Sequence, residues 1–470
     1  MDAFSPALEI ADAVRRKEVS PVEVLAAYLE RVDRLDPVLN AFAFRDDDGA
    51  QARAAQVAER VARSPVEDLP PFVGVPLPIK NLVRVAGWPT TYGSRGASDA
   101  PSEVSDPVVE RFVEAGFVLS GMTNTPELGT ISFTESERHG VTRNPWNPDH
   151  TPGGSSGGAG AAVASGMAPI AHASDGGGSI RIPASCNGLV GLKPTRNRVP
   201  NGVNQLEGLT TEGVLTRTVA DTAAVLDVIG RPDPCCWYNA PPPSRPFAEQ
   251  AERPPGRLRV AAATRPVVDL AVDPACLAAV DEAVRALAEL GHEVVDATLE
   301  VPDAAGFVES FTTIWNTGSA DTPLEDWDAI EPLNAVLRAE AAKVDSLTYR
   351  RAVADTERRC RSIIAQFGDR FDVLVTPTMA VEPPRCGSHL VGAEDAPIVA
   401  LLNCYPMAVF TSIWNVTGQP ALSLPLHVAP SGLPVGVQLV AGPWQEGLLL
   451  ALGRQLEQAR PWADRRPPVS

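Results

Sequence analysis

The chain has 470 residues, 44% of them hydrophobic, and carries 40 Lys plus Arg against 58 Asp plus Glu, for a net charge of -18. That length suits one large α/β unit or two fused lobes, burying roughly 75% of the unfolded chain's surface with no need of a disulfide or metal as a staple. The acidic balance, with no basic run able to track phosphates, argues against nucleic acid as a partner.

In chain order, the first 63 residues read as helical. Ser20-Pro-Val-Glu23 has the form of a capping box with proline at the first helical position. Val24, Leu25, Tyr28, Leu29, Val32 and Leu35 then recur at helical spacing. An alanine-rich run from Gln51 to Ala62 suggests a third helix, and the proline-rich stretch Ser64 to Pro78 ends it. From 72 to 230, short apolar runs alternate with helical patterns: Val104 to Ala115 as helix, Phe117 to Gly121 and Met167 to Ala173 as strands, Thr216 to Ile229 as helix. Such alternation favours a mostly parallel sheet covered by helices. The Pro-rich stretch Arg231 to Arg257 reads as a surface excursion. Leu258 to Ala263, Pro274 to Leu290 and His292 to Ala297 then form a β-α-β pattern. Residues 301–370 are mainly helical. Phe371 to Pro377 reads as a buried strand, and two more strands and a helix from Gln445 to Gln458 follow.

The organisation expected is a helical segment, 1–65, packed on a body spanning 66–470. The body comprises a core at 70–230, the excursion at 231–257, a variable helical region at 301–370 and a sheet-completing part at 371–470. The seven cysteines are scattered and form no Cys-x-x-Cys, which points to reduced thiols. The segment Met1 to Glu9 has acids where an export signal has bases, and no apolar run reaches the ~18 residues of a membrane span. A cytoplasmic protein without a membrane partner is expected.

Two glycine-flanked serines carry the chemistry: Ser155 within Gly153-Gly-Ser-Ser-Gly-Gly158, and Ser179 within Ser174-Asp-Gly-Gly-Gly-Ser-Ile-Arg-Ile-Pro183. Upstream, Lys80 lies in the apolar run Val73-Gly-Val-Pro-Leu-Pro-Ile-Lys80. A serine hydroxyl is a poor nucleophile until a base takes its proton, and a desolvated lysine can be that base. Bringing Lys80 to neutrality near pH 7 requires lowering a pKa of about 10.4 by roughly three units, within what burial supplies. The triplet Gly176-Gly-Gly178 can turn backbone N–H groups toward one point, as an oxyanion hole requires. Asp175 and Arg181 flank that turn and read as a scaffolding pair.

Other readings are weaker. A flexible linker gives no reason for the small-residue helix Ala159 to Ala164 that follows the first glycines. Gly153-Gly-Ser-Ser-Gly157 fits the G-x-S-x-G elbow of a Ser-His-Asp esterase, with His389 and His427 as late histidines, but three prolines between Asn144 and Pro152 make a poor preceding strand. No Gly-Lys-Ser/Thr follows the glycines, no nicotinamide fingerprint occurs, and no His/Cys/Asp cluster has metal-ligand spacing. No cofactor and no metal are therefore expected.

These residues resemble the amidase signature family over nearly the whole chain. The resemblance runs through Gly153 to Gly158, Ser174 to Ala184 and Gly188-Leu-Val-Gly-Leu-Lys-Pro-Thr195 to Asp372–Thr378, Gly418–Pro425 and Gly432–Gln438. Thr142–Asn147, Ser244–Ala248 and Pro461-Trp462 look most like the branch containing the nylon-oligomer cyclic-dimer hydrolases. The resemblance implies an α/β/α layered fold around a large mixed sheet. It further implies Lys80 as base, Ser155 as a bridging serine after a cis peptide bond and Ser179 as nucleophile, with Ser156, Asp175 and Arg181 supporting and the N–H groups of Gly176, Gly177, Gly178 and Ser179 holding the oxyanion. Gly176 departs from the family's common Thr, Ile or Ala, and Met122 from a common lysine. The expected activity is hydrolysis of a C–N bond in a small apolar or aryl amide, lactam or carbamate, by a monomer or homodimer. The alternatives are a glutamine-hydrolysing amidotransferase subunit, which would copurify with a partner, or a catalytically dead scaffold, which the retention of all three residues opposes. Thr130 and Trp315 are the expected pocket walls.

Overall fold

The computed structural model describes residues 2–201 and 205–470; Met1 and residues 202–204 lie outside the described residues. The capping box forms as its sequence dictates: Ser20 Oγ accepts from the Val22 N–H at 3.1 Å, and Glu23 reaches back to the Ser20 N–H at 2.8 Å. It starts the helix Pro21–Leu39, whose apolar stripe is buried. The continuous helical reading of the first 63 residues is corrected by a strand, Phe42–Phe44, between that helix and Asp47–Arg63. Its two aromatic residues suit a pleated, half-buried surface better than a helix. It pairs antiparallel with Val118–Thr123, which pairs in parallel with Pro76–Lys80 on its other side.

The main sheet has eight strands, in the order Glu293–Val294, Arg259–Ala262, Val373–Pro377, Pro434–Ala441, Ala421–Val428, Val190–Lys193, Thr211–Thr216 and Ala171–Asp175. The expectation of a mostly parallel sheet does not hold. The first two pairings are parallel and the remaining five antiparallel. The β-α-β pattern does make parallel neighbours, Arg259–Ala262 and Glu293–Val294, through the helix Pro274–Glu289. One of the five antiparallel pairs is a hairpin, Ala421–Val428 with Pro434–Ala441, where the chain reverses tightly between Val428 and Pro434, with Gly432 at φ 85°. Helix–strand alternation in sequence locates such elements without fixing their direction.

Both faces of the sheet are covered, which is why its strands are nearly continuous in apolar residues. Along Val373–Pro377, Val373 and Val375 pack toward the helices Pro274–Glu289 and Glu446–Ala459. Leu374 points the other way, onto Phe307, Ile413 and Trp414. The Pro-rich stretch is exposed at Trp237, 91% accessible, but its later part docks through Phe247 and Ala251 of a short helix. Among the described residues no helix is long and apolar enough to cross a membrane.

Candidate active site

The edge strand Ala171–Asp175 of the large sheet ends at the glycine triplet Gly176–Gly178, and the helix Gly157–Ala164 begins just after Ser155 and Ser156. That helix is entirely buried. Gly158 is required there, because a Cβ would stand 2.4 Å from the Asn124 nitrogen and 2.5 Å from the Ala41 oxygen. The close approach brings Ser155, which follows a cis Gly154–Ser155 bond, under the end of the strand Pro76–Lys80.

Lys80 is fully buried, and its Nζ lies 2.8 Å from Ser155 Oγ. The same nitrogen is 3.1 Å from Ser174 Oγ and 3.4 Å from the Ser174 carbonyl. Burial of the ammonium pulls the Lys80 pKa down to about 7, against the opposing pull of the Glu212 and Asp175 carboxylates. Behind it, the Lys80 backbone N–H donates to His172 Nδ1 at 3.2 Å, and His172 Nε2 lies 2.9 Å from Glu212. With Nδ1 accepting, Nε2 carries the proton toward Glu212. His172, Glu212 and Ser174 are functional neighbours that the sequence reading did not single out.

The nucleophile turn is fixed by a buried polar network. Asp175 and Arg181 pair at 2.9 Å, both with fully buried side chains. Burial alone would raise the Asp175 pKa, but the Arg181 guanidinium and the Asn415 amide hold it well below the usual carboxylate range. Arg181 also donates to the Thr411 carbonyl, to Gln438 Oε1 and to Asn415 Oδ1. Ser156 Oγ donates to the Ser174 carbonyl at 3.2 Å, tying the two glycine segments together.

One expectation about the turn is corrected. The Gly178 N–H donates to Asp175 Oδ1 at 2.7 Å, so it is engaged inside the scaffold and unavailable to an oxyanion. The amides of Gly176, Gly177 and Ser179 are left as the candidate donors. Gly178 has a different role: at φ 140°, with Thr411 Oγ1 2.3 Å from where a Cβ would be, it admits no side chain.

Ser179, 9% exposed, faces a cavity of about 140 Å³. Among the described residues no hydrogen bond joins it to Ser155; the structure brings Lys80 and Ser155 into direct contact and leaves Ser179 on the cavity wall. Thr130 and Trp315 both line this cavity, together with Phe307, Phe311, Leu401 and Ile413. Trp315 lies against the turn, its ring 3.2 Å from where a Gly176 Cβ would be. Thr130 is held from behind: its hydroxyl donates to Asn334 Oδ1 at 2.8 Å, and Asn334 donates to the buried Glu127 at 2.7 Å. The histidines of the esterase reading stand elsewhere, His389 stacked on Phe133 and His427 paired with Glu282 at 2.9 Å.

Residues 23–450 match the amidase family. The chain is 37% identical to the 6-aminohexanoate-cyclic-dimer hydrolase of Paenarthrobacter ureafaciens, over 100% of this chain and 97% of that protein. A solved structure of 6-aminohexanoate cyclic dimer hydrolase complexed with substrate superposes with a TM-score of 0.92 at 36% identity, covering 100% of both chains. A bacterial aryl acylamidase of the amidase signature family superposes with a TM-score of 0.88 at 25% identity, covering 98% of this chain and 97% of that one.

Proposed function

The chain belongs to the amidase signature family and is an amide-cleaving hydrolase, and from that premise we propose a Ser-Ser-Lys mechanism acting on a small apolar or aryl amide, lactam or carbamate. The observation that carries the proposal is the fully buried Lys80 amine at 2.8 Å from Ser155, with a pKa lowered to about 7. A neutral amine in that position can take a proton; a charged one cannot.

In the proposed reaction Ser179 Oγ attacks the carbonyl carbon while its proton passes to Ser155 and the Ser155 proton passes to Lys80. The negative oxygen of the tetrahedral intermediate is held by the free amides of the Gly176–Ser179 turn, each such donor being worth about 3 kcal/mol in the barrier. The C–N bond then breaks, the proton on Lys80 returns through Ser155 to the departing nitrogen, and the acyl group remains as an ester on Ser179. Water, deprotonated by the same relay, attacks that ester and releases the acid; when the substrate is a urethane cleaved at its C–N bond, the group on Ser179 is an alkyl carbonate, and water releases the carbonic half-ester, which breaks down to the alcohol and CO₂. In this conformation Ser155 and Ser179 are not hydrogen-bonded, and a catalytic contact of that kind commonly tightens when substrate arrives.

The apolar wall of Phe307, Phe311, Trp315 and Ile413 favours hydrocarbon or aryl groups over a charged amino acid such as glutamine. The names of the relatives, a cyclic-dimer hydrolase and an aryl acylamidase, support the same substrate range. The test is a panel of chromogenic anilides, amides, esters and carbamates, run with wild type and Ser179→Ala side by side. Loss of at least about a thousandfold in kcat for the variant is expected; retained turnover would remove Ser179 from the role of nucleophile.

A further inference from the structure

One buried carboxylate beside the proposed base has no cation of its own. Glu212, 3% exposed, stands in the strand Thr211–Thr216 directly across from Ser174 of Ala171–Asp175. Side chains at opposed positions of an antiparallel pair share one face of the sheet, with Cβ atoms about 4.5–5.5 Å apart. Ser174 is the residue whose hydroxyl meets the Lys80 amine at 3.1 Å. His172, two positions earlier along the strand, lies on the same face and meets Glu212 through Nε2 at 2.9 Å. The other carboxylate oxygen accepts from Asn201 Nδ2 at 3.1 Å. Among the described residues Glu212 forms no ion pair with an arginine or a lysine.

The hydrogen bonds fix the charges. The Lys80 backbone N–H can only donate, so His172 Nδ1 keeps its lone pair and the ring is neutral, its one proton on Nε2. Glu212 thus receives a donor on each oxygen, the arrangement of a carboxylate rather than of a carboxylic acid. Asp175, the other carboxylate acting on Lys80, is joined to Arg181 by two hydrogen bonds and to Asn415 by a third. Ser155 and Ser174, which touch the amine, are uncharged. A positive charge on Lys80 therefore meets one uncompensated negative charge, that of Glu212, where no water screens the attraction. Lys193 shows what burial does without such a partner. Burial together with Arg181 drives its pKa well below the ordinary lysine range, whereas Lys80, with Glu212 pulling the other way, falls only to about 7.

We propose that Glu212 is a positioning residue for the proposed base: its charge holds the proton that Lys80 takes from the serine relay, and its bond to His172 seats the strand end that carries Lys80. This inference rests on the reading of Lys80 as the base.

The test is the pH profile of kcat and kcat/KM for a para-nitroanilide between about pH 5 and 9, with wild type, Glu212→Gln and Glu212→Asp. Removing the negative charge disfavours the ammonium, so the amine loses its proton at lower pH. The rising limb, near 7 in wild type, is expected about one unit lower in Glu212→Gln. The plateau kcat is expected about tenfold lower, because a weaker base holds the transferred proton less well. KM is expected to change by less than about threefold, since Glu212 does not line the cavity. Glutamine keeps the volume, accepts from His172 and can donate to Asn201 Oδ1, which has no partner among the described residues. Glu212→Asp, with its charge retained, is expected to keep the limb within about 0.3 unit of wild type. Glu212→Met, neutral and of similar volume, takes the place of the glutamine variant should that one fail to fold. An unmoved limb in the neutral variant, a limb moved upward, or an equal shift in Glu212→Asp overturns the proposal.

Urea unfolding reads the same proton without turnover, with Lys80→Met as the reference that lacks the group. Relative to that reference, stability is expected to begin its rise with pH near 7 in wild type and about one unit lower in Glu212→Gln. A wild-type response that is flat in both measurements removes Lys80 as the base, and this proposal with it. A wild-type limb near 7 that Glu212→Gln leaves in place keeps the base and removes Glu212 alone.

Discussion

Ser174 faces the Lys80 amine with two acceptors, its hydroxyl at 3.1 Å and its carbonyl at 3.4 Å. A neutral amine has two N–H groups and one lone pair. In the neutral form that the proposed mechanism requires, with both N–H groups directed at Ser174, the lone pair would face the Ser155 hydroxyl 2.8 Å away. Ser174 is thus a positioning residue for the proposed base. Ser174→Ala is expected to lower kcat on the order of tenfold or more with little change in KM, and Ser174→Thr to restore most of it. A parallel rise in KM, or no rescue by threonine, would point to a merely structural role.

The lowered Lys80 pKa makes a prediction about pH in two directions. Activity should rise with pH through a limb near 7 as the amine loses its proton. Stability follows the same group: the unfolded chain holds the lysine proton up to about 10.4, so between 7 and that value unfolding takes up a proton and the folded state gains about 1.4 kcal/mol per pH unit. The cost of burying this amine is therefore largest below pH 7. Urea unfolding of Lys80→Met against wild type should show a gap in favour of the variant that narrows from pH 7 to pH 9; a gap independent of pH would contradict a buried neutral amine.

Breaking the Asp175–Arg181 pair leaves one charge buried without its partner, which costs about 3–5 kcal/mol. Asp175→Ala or Arg181→Ala should each lower the unfolding free energy read from urea titration by that much and abolish activity. The double variant should lose less stability than the sum of the two, since the orphaned charge is gone. Additive losses would show that the pair is not a unit.

Gly178→Ala should be far more damaging than Gly176→Ala. The former needs a side chain at φ 140° and 2.3 Å from Thr411 Oγ1, the latter only a small shift of Trp315 and Thr210, each 3.2 Å away. Thermal melting of the two variants decides it, with equal midpoints the contrary result.

Trp315→Ala should raise KM for aryl amides by about tenfold and change kcat less, because the ring binds without touching the reacting atoms. An equal fall in kcat with unchanged KM would place Trp315 in the turn's support instead.

Much of this arrangement is legible in sequence, because it depends on local composition. Glycines on both sides of Ser155 and the glycine triplet before Ser179 announce close backbone approach, and the apolar neighbours of Lys80 announce its burial. What escapes is whatever distant single residues contribute. Asn415, Thr411 and Gln438 reach the turn from more than 230 positions downstream, and nothing in their neighbourhoods marks them. The Gly178 amide was unreadable for a related reason: a triplet of glycines shows that N–H groups can converge, but only the Asp175 carboxylate decides which of them is already taken. Sheet direction escapes too: helix–strand rhythm places the strands without showing which run antiparallel, the pair joined by the tight reversal near Gly432 among them.

The placement of that reversal also sets the order in which the molecule can be assembled during synthesis. Val190–Lys193 and Val373–Pro377 are each bordered by a strand of the pair supplied by residues 421–441. Until the ribosome has released that segment, both strands present a bare apolar edge, the kind of surface that invites chain-to-chain association. Chains arrested before position 421 should therefore bind chaperones and precipitate, whereas the sheet closes as soon as the last strand pair threads into its centre.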